Sequence, residues 1–392
     1  MATNATPASR AVAGPITLAL AAALALTSTP SVAENTPDWR FSGDLRTGYT
    51  ASWRDARDGS TGSADNWRAR LRLRAERSLG AHWRFTTRLA GSYASDQDSF
   101  DFYLRRARPG GTGVNPGDTT LDELYLGYIA PESRWRARIG RFQTGWTLPV
   151  VPGKSLDRND SSSFGVGWTD GVHLELPTGD GWRSHLIAQN NSRNGTGNTI
   201  RGPLDFSRGR SDASLHAAIE ATEHPGPLTL RMLTLTWMPD ALASRGVGDS
   251  QREDYWVITA KAAAEWPLAD SGRKLVLAGE VGHAPGTPRR ESAGLSGAGE
   301  VSGNGWQASA NLFDLAPGHH LGIVYGRTQA GWLISNDYRA NDELAEIRYQ
   351  WRPIQQISTE IRYRWRRELE IPRAADRRRR DRDVYARLTL RF

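Results

Sequence analysis

From Trp39 to the last residue, apolar and polar side chains alternate with a period of two. Residues 39–49 put Trp39, Phe41, Leu45 and Tyr49 on one side, and Arg40, Ser42, Asp44 and Arg46 on the other. Residues 67–76 set Trp67, Ala69, Leu71 and Leu73 against Arg68, Arg70, Arg72 and Arg74. Residues 357–365 set Ile357, Ile361, Tyr363 and Trp365 against Ser358, Glu360, Arg362 and Arg364. This period marks β-strands with two unlike faces. Sixteen such segments are predicted, near 39–52, 67–78, 82–95, 121–130, 134–142, 166–177, 182–191, 213–223, 228–237, 255–266, 273–283, 306–314, 319–328, 341–352, 354–366 and 382–392.

The links between them discriminate among all-β architectures. Even-to-odd links are a few residues of turn chemistry, such as "LGA", "PES", "TGDG" and a single Pro353. Odd-to-even links are expected to be long throughout, typically about 12 to 25 residues rich in Gly, Ser, Asp and Arg. A soluble sandwich has no reason to gather its long loops at one end. A transmembrane antiparallel up-and-down β-barrel does: even strand number, short periplasmic turns, long extracellular loops and apolar-out, polar-in strands. Closure also leaves no unpaired strand edge in hydrocarbon.

Tryptophan placement gives a separate indication. Trp39, Trp83, Trp135, Trp182, Trp266 and Trp351 fall at short-turn ends of strands, and Trp53, Trp67, Trp168, Trp237, Trp256, Trp306 and Trp365 at or near long-loop ends. Two aromatic girdles require that distribution, because indole is apolar with one polar N–H. A barrel also explains how a membrane protein can be 24% charged, since only half of each strand must be apolar.

At the N-terminus, Arg10 precedes an apolar run from Ala11 to Leu26, followed by Ser31 and Ala33. That is the layout of a secretory signal peptide over residues 1–33, leaving 34–392 as one barrel domain. As an anchor the run is shorter than the roughly 20 residues a span needs. The chain has no cysteine, so no disulfide framework is available. Its eight histidines lack zinc-ligand spacing, and no metal or cofactor is expected.

The last strand places Val384, Ala386, Leu388, Leu390 and Phe392 on one face and Tyr385, Arg387, Thr389 and Arg391 on the other. Together with the signal layout, the sixteen strands and the hairpin over residues 121–146, this terminus resembles the Gram-negative outer-membrane porin family, including the putative porins related to alginate-export barrels. The resemblance implies the outer membrane as location, with lipid and lipopolysaccharide as surroundings. It further implies a C-terminal strand ending in Phe392 that is read by the barrel-insertion machinery, and a homotrimer as the usual assembly. Sixteen strands enclose a lumen too wide to fill with side chains, so a water-filled channel for small hydrophilic solutes is expected.

Families of this architecture fold the third long loop inward, here residues 143–167. Lys154, Asp157, Arg158, Asn159 and Asp160 would then stand at a constriction, with the aspartates as an acidic lip; a solvated outward loop is the alternative. Arginines dominate the lumen phase of strands 15, 16, 1, 2, 3 and 5: Arg40, Arg46, Arg68, Arg70, Arg72, Arg74, Arg84, Arg88, Arg134, Arg136, Arg138, Arg362, Arg364, Arg387 and Arg391. Turned into lipid instead, each would cost about 2–4 kcal/mol at mid-bilayer, which fixes the register. Such a wall favours anionic solutes by the charged-ring logic of other pores, or else it is merely braced by carboxylates. Arg141 breaks the phase of Arg134 to Arg138, so a bulge near Gly140 is expected to turn it inward.

Residues 377–383, a run of arginines, fall in the last extracellular loop, where lipopolysaccharide or solvent rather than nucleic acid is the expected neighbour. A substrate-selective channel for acidic oligosaccharides is a second reading. A barrel enzyme is a third, but the inward His173, His185 and His216 have no serine partner in the same layer.

Overall fold

The computed structural model describes residues 39–97, 101–102, 113–114, 117–191, 202–207, 209–246, 251–268 and 272–392. The segment read as a signal peptide, 1–33, lies outside the described residues. Sixteen long strands form the wall: β1 Trp39–Asp55, β2 Thr61–Leu79, β3 Trp83–Ala94, β4 Asp118–Ile129, β5 Arg136–Phe142, β6 Thr169–Pro177, β7 Trp182–Asn190, β8 Ala213–Ala221, β9 Leu228–Leu242, β10 Glu253–Leu268, β11 Arg273–His283, β12 Asn304–Phe313, β13 His319–Thr328, β14 Asp342–Ile354, β15 Ile357–Glu368 and β16 Arg380–Arg391. No α-helix occurs among the described residues.

Each strand pairs antiparallel with its neighbour in sequence, and β16 pairs with β1 from Asp44↔Arg391 to Asp55↔Arg380. The sheet is therefore closed. The alternation holds as predicted: Phe41, Ile139, Ile361 and Val281 are more than half exposed on the outer face. Residues of the opposite phase, such as Arg70, His216, Lys261 and Glu280, are buried on the inner face. Trp39, Trp53, Trp67, Trp83, Trp135, Trp256, Trp266, Trp306 and Trp351 are exposed near strand ends, where two interfacial girdles require them.

Two link lengths differ from expectation. β1 and β2 run on past the predicted bounds and are joined by residues 56–60 alone, so the first of the odd-to-even links is short. Thr61 to Asn66 look like loop by composition but continue the ladder, because a paired backbone tolerates polar side chains where both faces meet water. Between β14 and β15 the turn is Gln355–Gln356, with Pro353 inside the end of β14, where the register shifts between Trp351 and Ile354.

The bulge expected near Gly140 is absent. β5 keeps alternation from Arg136 to Phe142, which leaves Arg141 on the outer face. There its Nε donates to Asp170 at 2.7 Å, and its guanidinium lies 4.4 Å from the Trp168 ring centroid. A bulge does occur one strand earlier. The β3–β4 register slips between Arg88 and Leu89, so the consecutive residues Asp122 and Glu123 both turn inward.

Candidate functional site

Fourteen of the fifteen arginines assigned to the basic wall stand in the inward phase of their strands. The exception is Arg134, which precedes β5 in the turn, is 74% exposed and pairs with Glu132 at 2.6 Å. Arg40 faces inward at the short-turn end of β1, opposite Glu76 in register.

Most of the others have carboxylate partners on the wall itself. Asp44 takes Arg70 at 2.8 Å and Arg46 at 3.5 Å. Asp122 takes Arg72 at 3.0 Å and Arg88 at 2.8 Å, and Glu76 takes Arg74 and Arg84, each at 3.1 Å. On the far side of the seam, Asp383 bridges Arg362 and Arg364, while Glu360 takes Arg387 at 2.6 Å. Arg136 reaches Glu175 at 3.6 Å. Arg68, Arg352 and Arg391 have no ion-pair partner among the described residues. The wall is thus braced and still carries a surplus of positive charge.

Residues 143–168, the link between β5 and β6, run across the inside of the barrel. At one end Ser161 and Gly165 cap the β2 ladder: Ser161 Oγ accepts from Arg72 at 2.8 Å, and the Gly165 carbonyl accepts from Arg70 at 3.1 Å. Arg70 and Arg72 are consequently buried. At the other end Val151 N–H donates to Asn311 on β12, and Leu156 N–H to Glu280 on β11. Lys154 pairs with Glu346 on β14 at 2.8 Å. Arg158 donates to Gln189 on β7 and to Thr169.

A second inward segment, residues 329–341, holds the first. Trp332 Nε1 donates to the Leu156 carbonyl at 2.9 Å, and Asp337 accepts from Ser155 N–H at 3.0 Å and Asn159 Nδ2 at 2.8 Å. Leu156, Trp332, Leu333, Ile334 and Tyr338 form an apolar cluster with Met238, Tyr255 and Leu344 from the wall. This partner escaped sequence reading, although three consecutive large apolar residues, Trp332, Leu333 and Ile334, inside a loop are a usable signal.

The aspartates do not form an acidic lip. Asp157 and Asp160 are buried behind the loop and do not line the cavity. Asp157 meets Lys261 on β10 at 2.6 Å and accepts from Thr234 at 2.8 Å. Burial alone would raise its pKa, but the Lys261 ammonium more than offsets this and holds the carboxyl below the usual aspartate range. Asp160 accepts from Thr144 N–H at 2.8 Å and from the Thr144 and Thr169 hydroxyls, each at 3.2 Å. There burial wins over the pull of Arg158, and the pKa rises to about 6. Lys154 and Asn159, by contrast, do face the cavity.

The raised Asp160 makes loop seating pH-dependent. The seated loop holds this proton more tightly than a free aspartate does, so seating is fully supported below the ordinary aspartate range. That support is lost as pH rises through about 6, at about 1.4 kcal/mol for each pH unit between the two values. Open-channel current noise in planar bilayers is expected to fall between pH 7 and pH 5, and Asp160→Asn to weaken that dependence.

Between the loop and strands β14, β15, β16, β1 and β2 lies a cavity of ≈ 740 Å³. Arg46, Arg68, Arg348, Arg352, Arg362, Arg364, Arg387, Arg391 and Lys154 line it, against the acids Asp337 and Glu360. A second cavity of ≈ 440 Å³ at β3 to β6 is lined by Arg84, Arg136, Arg138, Tyr125, His173 and Glu175. Beside it runs a directional chain. Arg138 Nη2 donates to His173 Nδ1 at 2.5 Å, His173 Nε2 to His185 Nδ1 at 3.1 Å, and His185 Nε2 meets Glu220 at 3.2 Å. Trp146 stacks on His216 at 4.7 Å between centroids. These histidines are tied into wall contacts, and no cluster of three or more metal-ligating groups occurs among the described residues.

No protein-family model matches the sequence, and no curated protein does either. Solved structures do match in shape. OprB of Pseudomonas putida aligns with TM-score 0.58 at 11% identity, over 90% of this chain and 94% of its own. The outer-membrane channel DcaP of Acinetobacter baumannii gives 0.55 at 12% identity, over 92% and 99%. OpdL of Pseudomonas aeruginosa gives 0.54 at 15% identity, over 91% and 99%. The chain shares the transmembrane-barrel fold of these proteins, and its own barrel closes with sixteen long antiparallel strands.

Proposed function

We propose that the protein is an outer-membrane porin: a passive, water-filled channel for small hydrophilic solutes that favours anions. The single observation that carries the preference is the lining of the cavity between the loop and strands β14 to β2, nine cationic side chains against two carboxylates. Paired arginines contribute little net field, but Arg68, Arg352 and Arg391 are not neutralised by a described carboxylate and leave the wall positive. The loop over 143–167 serves as the constriction, with Lys154 and Asn159 at its channel face and Asp157, Arg158 and Asp160 as its anchors. The likeness to OprB, DcaP and OpdL supports a place in the outer membrane of a Gram-negative cell, reached with the help of an export signal at residues 1–33. The second reading, a channel for acidic oligosaccharides, draws on the two arginine-lined cavities.

Reversal potential in a tenfold KCl gradient across a planar bilayer tests the proposal. It is expected to take the chloride sign, toward the ideal limit of about 59 mV. A potential of the potassium sign overturns the anion preference, and the absence of discrete channel openings overturns the porin reading. Block of the current by an acidic but not a neutral oligosaccharide would favour the second reading.

A further inference from the structure

On one side of the barrel the outer face carries an excess of cations. From β12 to β1 one row of the hydrogen-bonded register reads Trp306, Arg327, Glu343, Arg367, Arg380 and Asp55. These positions share the face of Ile323, Ile347 and Tyr363, which are exposed on the outside, so the row points away from the lumen. The next outward layer toward mid-membrane is Tyr325, Ala345, Trp365, Arg382 and Trp53, and the one after it is Ile323, Ile347, Tyr363, Val384 and Ala51. Charge starts within the aromatic girdle, at Arg382, and dominates the layer beyond it, which is the depth of lipid headgroups.

Within this band four guanidiniums meet two carboxylates. Glu343 takes Arg367 and, at 3.3 Å, Arg327, and it accepts from Tyr325 Oη at 2.6 Å. Arg382 reaches Asp55 at only 3.8 Å, and Arg380 has no ion pair among the described residues. Arg327 and Arg367 remain 43% and 33% exposed despite their shared glutamate. Elsewhere at the long-loop end the outer face carries acids, Asp65 on β2 and Asp254 on β10. The attraction for anions is therefore local.

Directly beneath the band, the outer face of β10 to β15 is hollowed by ≈ 780 Å³. Small side chains make the recess: Ala262 and Ala264 on β10 and Ala308 and Ala310 on β12 stand on either side of the taller Leu277, with Ile323 of β13 beyond them. Its long-loop end is formed by Tyr325, two residues short of Arg327 on the same strand. An apolar recess ending under a cluster of guanidiniums has the two halves of a lipid-binding site.

We propose that this surface binds a phosphate-bearing glycolipid of the outer leaflet, the phosphorylated disaccharide lipid of lipopolysaccharide. One acyl chain lies in the alanine-lined hollow, and the phosphates sit on Arg327, Arg367 and Arg380. The guanidinium fork matches phosphate oxygens two at a time, and at this depth it is only partly hydrated, which strengthens the contact. The band also lies where the surface potential of an anionic leaflet draws cations. The proposal rests on the outer-membrane placement above and adds a specific lipid to it.

The test is retention of lipid by the full-length barrel through purification, read by native mass spectrometry. Added bisphosphorylated lipid A is compared with its dephosphorylated form. The wild-type barrel is expected to keep the phosphorylated lipid and to lose the dephosphorylated one. Retention is expected to drop about tenfold in the triple variant Arg327→Gln, Arg367→Gln, Arg380→Gln, as losing several charge-assisted contacts predicts. A second variant, Ala308→Leu with Ala310→Leu, fills the hollow and leaves every arginine in place, and it is expected to lose the lipid too. Heat-modifiability on gels confirms that each variant is a folded barrel. Equal retention by either variant overturns the site, and so does equal retention of the dephosphorylated lipid. A stable oligomer that buries this face with no lipid in it also overturns it, in favour of a second copy of the chain. Channel conductance recorded on the same preparations shows separately whether the porin reading stands.

Discussion

Lys261→Met is expected to unseat the inner loop and to give a channel of higher, noisier conductance. The Lys261 ammonium sits 2.6 Å from Asp157 and 3.0 Å from Glu280, and it also donates to the Trp146 carbonyl at 2.7 Å and Ser155 Oγ at 2.8 Å. All of these groups are sequestered from water, and two of them are carboxylates. Methionine fills the same volume without the charge, and the two acids are left facing each other. Breaking a buried pair by removing one partner costs about 3–5 kcal/mol, and here one cation serves two anions. The loop can escape that cost only by leaving the wall, which takes Leu156 and its contact with Trp332 with it. Single-channel recording and urea unfolding in detergent check both halves. Adding Asp157→Asn to Lys261→Met should restore part of the quiet state, because it removes one of the stranded charges. A Lys261→Met channel as quiet and as stable as the wild type would show that the loop is held by something other than this ion triad.

The second large effect is on selectivity. Arg68→Glu combined with Arg391→Glu is expected to move the reversal potential through zero toward the potassium sign. Both arginines line the cavity without a carboxylate partner among the described residues, so their charge is not already cancelled. Arg70→Gln and Arg72→Gln are the instructive contrast. These two face inward in the sequence pattern, yet the loop covers them and Asp44 and Asp122 neutralise them. Their loss should lower stability while leaving the sign of selectivity unchanged. If the covered pair changed the sign and the open pair did not, the cavity between the loop and β14 to β2 would not be the conducting path.

The barrel was legible in the sequence because its constraint is local and repeated. Every strand must separate grease from charge at a period of two, and a one-residue slip would carry a whole ladder of arginines into lipid. Closure, strand number and the girdles follow from that repetition. Departures from the pattern come from bulges, which a period cannot announce. Asp122 turned inward through a slip at Arg88, whereas Arg141, which looked like a slip, stayed in phase and found Asp170 outside. Pairing was the less legible part. A count of arginines against acids in the same phase of a few strands omits Asp383, which enters the wall from the end of β16, and Asp122. The loop could be placed inside by resemblance. The destination of Asp157 depends on Lys261, more than a hundred residues away, and no short stretch of sequence encodes that meeting.

The seam between β1 and β16 is spanned by contacts of the inner loop and of the first outer link. Arg46 on β1 donates to the carbonyl of Ser163 and Arg348 on β14 to that of Val151, while Arg57 reaches across the seam to Glu368 on β15. The pairing of β16 with β1 brings Arg57 and Glu368 together, and the loop links β1 to β14 across the same junction. Contacts of such long separation are entropically slow to form. A loop tethered on both sides of the junction keeps its full set of anchors only in the closed cylinder, so opening the β1–β16 pairing is expected to loosen the loop as well.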